Sequence, residues 1–550
     1  MIEIDREITQ DFARAIGLEW LETNGLGGWA GTTVAGAHSR RYHGLLVAAT
    51  EPPDGRTVLL SRLDETLHMG GESFELSCNQ FPGAIAPRGF EHLTAFRKEL
   101  FPVFEFEAGG VRLRKTVAAV DGENTTLVLY EVVEAPGPFI LSLRPFLAAR
   151  DQHALAAANS EISQETPFKG GTLRLRPYQD VPEAFLQVPG ADFRANPQWW
   201  YRFEYEVDRR RGLDFQEDLW TPGVFGRELN AGDRLGIVIS TRDPAGRDAF
   251  ALLEKERRRR EKILKALPVQ DDLARYLALA ADGFVVRRGS SRAVIAGYPG
   301  QEERSRDTLI ALPGLCLVTG RHEDAKKILR AFCKREEPGL TSADASLWLF
   351  VASWKYLQAT GDEAFARATL LPALRKVVHS REDGLLEENV ETNALWINAL
   401  SILTDFEARL GDPDEAKRLA QRAKRAQKSF VEAFQNEERP EQIFALSLPF
   451  PVLPKPQAAG LLAEIEDKVR ERPELLGPYL TALVRVQGAA GRKKGLALIE
   501  ALKPRLAEAG IGTGAWSVAE LLRAYVEDLR VGAPRKAASP AAKRRGKKEA

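Results

Sequence analysis

Three cysteines in 550 residues, with no CxxC pair among them, leave little room for a disulfide framework or a cysteine-ligated metal. Cys78, Cys316 and Cys333 read as buried or free thiols of a reducing compartment. Net charge is missing too. The 77 basic residues balance 77 acidic ones, which argues against a polyanion as the defining partner. No run reaches the ~18–20 apolar residues of a membrane span. The opening MIEIDREITQDF lacks the apolar centre of a secretory leader, so a cytoplasmic protein is expected. No metal or cofactor motif occurs. The glycines of NGLGGWAG do not follow GxGxxG, and no strand–helix–strand unit surrounds them.

What is present divides into two parts. From Arg56 to about Thr241 the pattern is short alternating runs rich in Val, Thr, Phe and Tyr, separated by Gly, Pro, Asn and Asp. Thr57–Leu60, Val111–Val117, Thr125–Val133, Phe139–Phe146, Thr172–Arg176 and Leu235–Ser240 are read as strands of an antiparallel β-sandwich. Trp199, Trp200, Tyr201, Phe203 and Tyr205 suit sandwich core better than a sugar platform. Asp243–Leu267 is a charged helical linker, its Arg257–Arg260 run read as a solvated face. From Asp271 the helical period takes over in about eleven segments with short links. Paired helical hairpins fit a closed toroid or an open solenoid, and the lack of a fixed repeat favours the toroid. The expected division is a β domain over 1–242, a linker over 243–270, a helical barrel over 271–530 and a disordered basic tail over 531–550. The tail is read as solvated, at most a weak contact for an acidic surface, and no specific nucleic-acid or membrane partner is expected.

Between the two patterns lies VIAGYPGQEERSRDTLIALPGLCLVTG, Val294–Gly320. An apolar strand-like run breaks at Gly297–Gly300, passes through charges and enters a helix. Asp307 falls in that helix's first turn, where a carboxylate satisfies free N–H groups and favours the dipole.

Several stretches resemble the bacterial and archaeal glycogen debranching enzymes. In the first half these are Asn24–Leu46 (NGLGGWAGTTVAGAHSRRYHGLL), Gly122–Thr126 and Arg211–Phe215. In the second half the resemblance is to the amylo-α-1,6-glucosidase domain. It rests on Ile295–Pro299, Arg306–Leu315, Asp344–Trp348, Val390–Trp396, Phe444–Pro451 and Ala515–Tyr525. The resemblance implies a β-sandwich followed by an (α/α)6 barrel of the six-hairpin glycosidase kind. It implies inverting hydrolysis of α-1,6-linked glucose at branch points of glycogen. Such a reaction uses two carboxyl groups about 6.5–9.5 Å apart, one as acid and one activating water. The expected partner is glycogen or a branched α-glucan oligosaccharide, with no cofactor and no metal.

The sequence departs from the family where that chemistry should sit. Gly300–Ser305 replaces an aromatic and acidic stretch. Only Glu387, Glu388 and Asn389 stand where a long loop carries the family's acid. The insert after FALSLP is short, and Glu508–Gly514 stands where a loop bears the base. Arg306, Asp307, Asp344, Glu391 and Trp396 are expected to bind substrate. The catalytic residues are left unassigned, with Glu302, Glu303, Glu387 and Glu388 as weak candidates. Two main readings stay open: a debranching glucosidase that still works, and a non-catalytic glucan-binding or scaffolding relative. A regulatory protein with the tail as its contact arm is a third, resting on tail composition alone.

Overall fold

The computed structural model describes residues 2–334, 343–381, 384–386, 389–434, 439–508 and 514–531. The chain divides into two compact units. One comprises Met1–Leu264, Leu279–Arg304 and Lys503–Ala515; the other Lys265–Ala278, Ser305–Leu502 and Trp516–Ala550.

The first unit is built on two antiparallel sheets. A nine-stranded sheet runs Ile2–Ile4, Leu93–Lys98, Pro102–Ala108, Val111–Ala119, Thr125–Glu134, Arg234–Ser240, Ala184–Gln187, Thr172–Leu175 and Phe168–Lys169. The second sheet runs from the edge strand Asp192–Glu204 through Gln216–Leu229, Phe139–Asp151 and Gly55–Met69 to Glu19–Thr23. Alternating apolar residues of both sheets, among them Phe104, Val117, Leu143, Trp220, Phe225 and Ile237, share one core. The sandwich expected from the alternation is therefore present. The Tyr130 hydroxyl crosses between the sheets to donate to Glu65 at 2.7 Å. Of the aromatic segment, Phe203 and Tyr205 are core while Tyr201 is 60% exposed on the edge strand.

The motif segments of the first half meet here. Asn24 donates to Asn124 at 2.9 Å, and Asn124 in turn donates to the Ala49 carbonyl at 2.8 Å. Arg41 binds Asp208 and the Asp214 carbonyl. Glu19 accepts from Arg40 at 2.7 Å and Ser39 at 3.0 Å, with His43 beside it. Burial alone would raise the Glu19 carboxyl, but His43 and Arg40 hold it down to about 2.

Two readings need correction. The Arg257–Arg260 run is not a uniformly solvated face. Arg260 is buried, paired with Glu22 at 2.6 Å and Glu256 at 2.9 Å, with its guanidinium 4.5 Å from the Phe101 ring centre. A buried guanidinium is tolerated there because two carboxylates and a ring face compensate its lost hydration. The helical pattern that began at Asp271 also stops early. Val285–Arg288 pairs with Ser291–Val294 as a hairpin, since consecutive β-branched valines followed by Gly-Ser-Ser favour strand and turn.

The helical unit pairs long helices as their apolar periodicity predicts. The helices Ser305–Leu312, Ala343–Thr360, Val390–Leu410, Phe444–Ser447, Pro473–Gln487 and Ala515–Ala524 pack in succession, the last pair through the π-type turns of Tyr525–Val531. Helices such as His322–Lys334, Leu371–His379, Pro413–Phe434 and Lys455–Arg470 alternate with them in the chain and pack outside. The four-residue Phe444 helix has no counterpart in the sequence reading, because one turn is too short to show a period. Closure comes at Gly314, in the π-type turn Pro313–Leu317 that extends the Ser305 helix. A Cβ there would lie 1.9 Å from the Ala519 carbonyl oxygen of the final helix. Gly477 makes a similar approach to Glu520, 2.5 Å for a built Cβ. The first and last members of the inner set thus touch backbone to backbone, and the set forms a ring.

Three outcomes test this account. Gly314→Ala is expected to lower unfolding free energy by about 3 kcal/mol or more in urea denaturation, since backbone opposes the new methyl. Gly460→Ala, on an outer helix with nothing within 4 Å of a built Cβ, should instead stabilise by about 0.5–1 kcal/mol. Because the Glu19 carboxyl is depressed, its contribution is full above the ordinary carboxylate range and is lost as pH falls from about 4.5 toward 2. In melting temperatures measured across that window, Glu19→Gln should flatten the acid limb.

Candidate functional site

Arg306 sits in the first turn of the Ser305 helix, and its Nη2 lies 2.5 Å from Glu391 Oε1 in the first turn of the Val390 helix. That helix begins where it does because Asn389 caps it, accepting from the N–H groups of Glu391 and Thr392. Thr392 donates to Asp344 at 3.2 Å. The Arg306 guanidinium lies 5.0 Å from the Trp516 ring centre. Trp516 faces Phe444 at 6.4 Å, and Phe444 meets Trp348 edge-on at 5.5 Å. Trp348 lies close enough to Glu391 to favour its charged form. Arg306, Glu391, Trp348, Phe444 and Trp516 therefore form a closed circuit, each from a different inner helix.

Burial pushes the Glu391 carboxyl above its ordinary range, and the like charge of Asp344 adds to this. Arg306 and the Trp348 indole oppose it. The donors around this carboxyl are only partly used. Arg306 Nε, Trp348 Nε1 and Trp516 Nε1 are buried and make no hydrogen bond of normal geometry. Buried donors are ordinarily paired, because an unpaired one costs about 1–3 kcal/mol. Three such donors beside a carboxylate and three aromatic rings suit a polyhydroxylated ligand. Hydroxyl oxygens would accept from the N–H groups, hydroxyl hydrogens would donate to the carboxylate, and C–H faces would lie on the rings.

The other residues singled out from the sequence lie as follows. Asp307 shares the first turn of the Ser305 helix with Arg306 and is half-buried. Trp396 is fully buried; its N–H donates to the Gly384 carbonyl at 3.0 Å, and Arg422 stacks on its ring. Glu302 and Glu303 belong to the β unit. Ala296 donates to the Glu302 carbonyl, the Glu302 side chain is exposed, and the Glu303 carboxylate is paired with Arg288. Glu387 and Glu388 lie outside the described residues, as do residues 509–513 and the tail from 532. Among the described residues no group of His, Cys, Asp and Glu is arranged to hold a metal.

Two family models match the chain: the N-terminal domain of glycogen debranching enzymes over residues 18–235, and amylo-α-1,6-glucosidase over residues 279–387. The chain belongs to the glycogen debranching enzyme family. No curated protein matches it. Among solved structures, a protein assigned as a kojibiose phosphorylase from the human microbiome shares 10% identity over 93% of this chain and 82% of that one, with a TM-score of 0.51. A bacterial glucoamylase complexed with acarbose shares 12% identity over 75% of this chain, with a TM-score of 0.46. The chain spans 66% of that glucoamylase's length. The likeness to the phosphorylase is one of fold: antiparallel sheets followed by the (α/α)6 arrangement expected from the sequence.

The glucosidase match stops at residue 387. Glu391, Phe444 and Trp516 lie beyond it, in the segments VETNALW, FALSLPFP and AWSVAELLRAY. Of the residues that meet here, the sequence singled out Arg306, Asp344 and Glu391 but not Trp348, Phe444 or Trp516. Each stands inside a motif quoted for the resemblance, but a motif does not say which aromatics meet in space.

Removing Glu391 while keeping Arg306 leaves a half-buried guanidinium without its carboxylate. Glu391→Ala is expected to cost about 2 kcal/mol in urea unfolding. The double variant with Arg306→Ala should cost clearly less than the sum of the singles, the sign of direct coupling in a double-mutant cycle.

Proposed function

We propose that this protein binds α-1,6-branched glucan at the Arg306–Glu391–Trp348–Phe444–Trp516 circuit, with the hydrolytic turnover of its family reduced or lost. Membership in a glucan-acting glycosidase family makes glucan the natural ligand. The observation that carries the reading is the pair of unpartnered buried donors, Arg306 Nε and Trp516 Nε1, in the circuit that holds Glu391, since family membership alone does not fix where sugar sits.

The reading of reduced turnover rests on where the candidate carboxylates are held. Inverting hydrolysis needs one carboxyl that keeps a proton for the leaving oxygen and another that holds a water. Glu391 is held by Arg306 and Glu303 by Arg288. A carboxylate in a charge-assisted pair releases its partner only at a cost, so each is better suited to position than to transfer a proton. A second reading has one specific support: Glu391 is held above its ordinary range, as a general acid requires. Cys78, Cys316 and Cys333 form no disulfide, which suits the cytoplasm, where glycogen is met. Among the described residues no helix is long and apolar enough to cross a membrane.

Affinity electrophoresis in glycogen gels and glucose release from a branched limit dextrin separate the readings. The wild type should be retarded by glycogen, Arg306→Ala and Trp516→Ala should run as in gels without it, and glucose release should stay near background. Release at enzymatic rates, abolished by Glu391→Gln, would overturn the claim of reduced turnover and establish Glu391 as the acid. No retardation and no release would sink both readings.

A further inference from the structure

The β unit holds a second group of unpartnered donors that the glucan reading does not use. Arg56 is 1% exposed, on the strand Gly55–Met69. Its Nε donates to the Gly27 carbonyl at 2.8 Å, but Nη1 and Nη2 are both buried without a hydrogen-bond partner. The hydroxyl of Tyr298, 5% exposed, is likewise buried and unpartnered. Both groups address one indole. The Arg56 guanidinium lies 5.6 Å from the Trp29 ring centre, and the Tyr298 ring meets Trp29 edge-on at 5.6 Å. Phe284 closes on Tyr298 from another side at 5.9 Å. The Trp29 N–H is committed to the Tyr42 carbonyl, so it is not a competing donor.

A guanidinium is always charged, and burying it without a counter-ion is among the most unfavourable arrangements in a protein. The nearest carboxylates do not supply one. Asp54 and Glu302 act on Arg56 only through space and form no ion pair with it. The contrast with Arg260 is direct: also buried in the same unit, it is met by two carboxylates. What Arg56 and Tyr298 offer together is two guanidinium amino groups, a phenolic O–H, one positive charge without an ion pair and aromatic walls.

We infer that Arg56 and Tyr298 form a binding site for a small monovalent inorganic anion such as chloride. The donors match an acceptor-only ligand, and the charge matches a single negative one. The anion would tie the Tyr298 turn to the sheet, so the order of Ile295–Glu303 would depend on it.

Chloride added to the full-length protein is the probe. Wild-type protein should broaden the chlorine NMR line beyond bulk viscosity, and excess bromide should reverse this. Tyr298→Phe should raise the chloride dissociation constant about tenfold, the loss of one hydrogen bond to a charged partner. Arg56→Gln should abolish the excess broadening. Crystals soaked in bromide should show an anomalous peak between the Arg56 amino groups and the Tyr298 hydroxyl. Broadening unchanged in Tyr298→Phe, or a water with no anomalous signal at that point, would overturn the proposal. Should Arg56→Gln fail to fold, Tyr298→Phe and the bromide map still decide it.

Discussion

The helical unit depends on one close approach. The turn after the Ser305 helix can touch the backbone of the final helix only because Gly314 has no side chain, its built Cβ falling 1.9 Å from the Ala519 oxygen. Pro313 helps set this up. It cannot donate within the helix, and the wider π-type turn it opens, with Val318 bonding back to Pro313, carries Gly314 against Ala519. Once first and last helices are in contact, Arg306 and Trp516 come into stacking range. The pairing of Arg306 with Glu391 and the aromatic contacts through Phe444 and Trp348 complete the circuit around the interior. The site is thus a product of ring closure, with residues separated by more than two hundred positions in the chain.

A second constraint concerns the connections. The segments entering the ring after residue 384 and after Phe444 are tied to the Val390 helix by polar side chains spaced along it. Asn393 accepts from Leu386, Trp396 donates to Gly384, and Asn398 both donates to and accepts from the Phe450 backbone. These bonds satisfy backbone groups that a buried connection would otherwise leave unpaired. They give the retained Asn and Trp residues of VETNALWINAL a structural occupation, whatever the family as a whole does with that segment.

The sandwich and most helices were legible in the sequence because they are periodic, and period reports which face is buried. Phe444–Ser447 was not, being a single turn, and Val285–Arg288 was lost to the helix before it. The site was half legible. Arg306 and Glu391 stood out as charges in family motifs, whereas Trp348, Phe444 and Trp516 stood inside such motifs with no role of their own until five helices brought them together. Arg260 misled in the opposite direction. It lies in a run of four arginines that looks solvated, and only its long-range partners Glu22 and Phe101 show otherwise. Charge runs announce exposure on average and say little about the member that faces inward.

The central claim is that the Arg306–Glu391 circuit is where sugar binds. A crystal soaked with a maltooligosaccharide carrying one α-1,6-linked glucose tests it most directly. The account predicts density for a glucosyl residue bonded to Arg306, Glu391 and the Trp348 and Trp516 N–H groups. Sugar ordered elsewhere, with those N–H groups facing only water or protein, would contradict it.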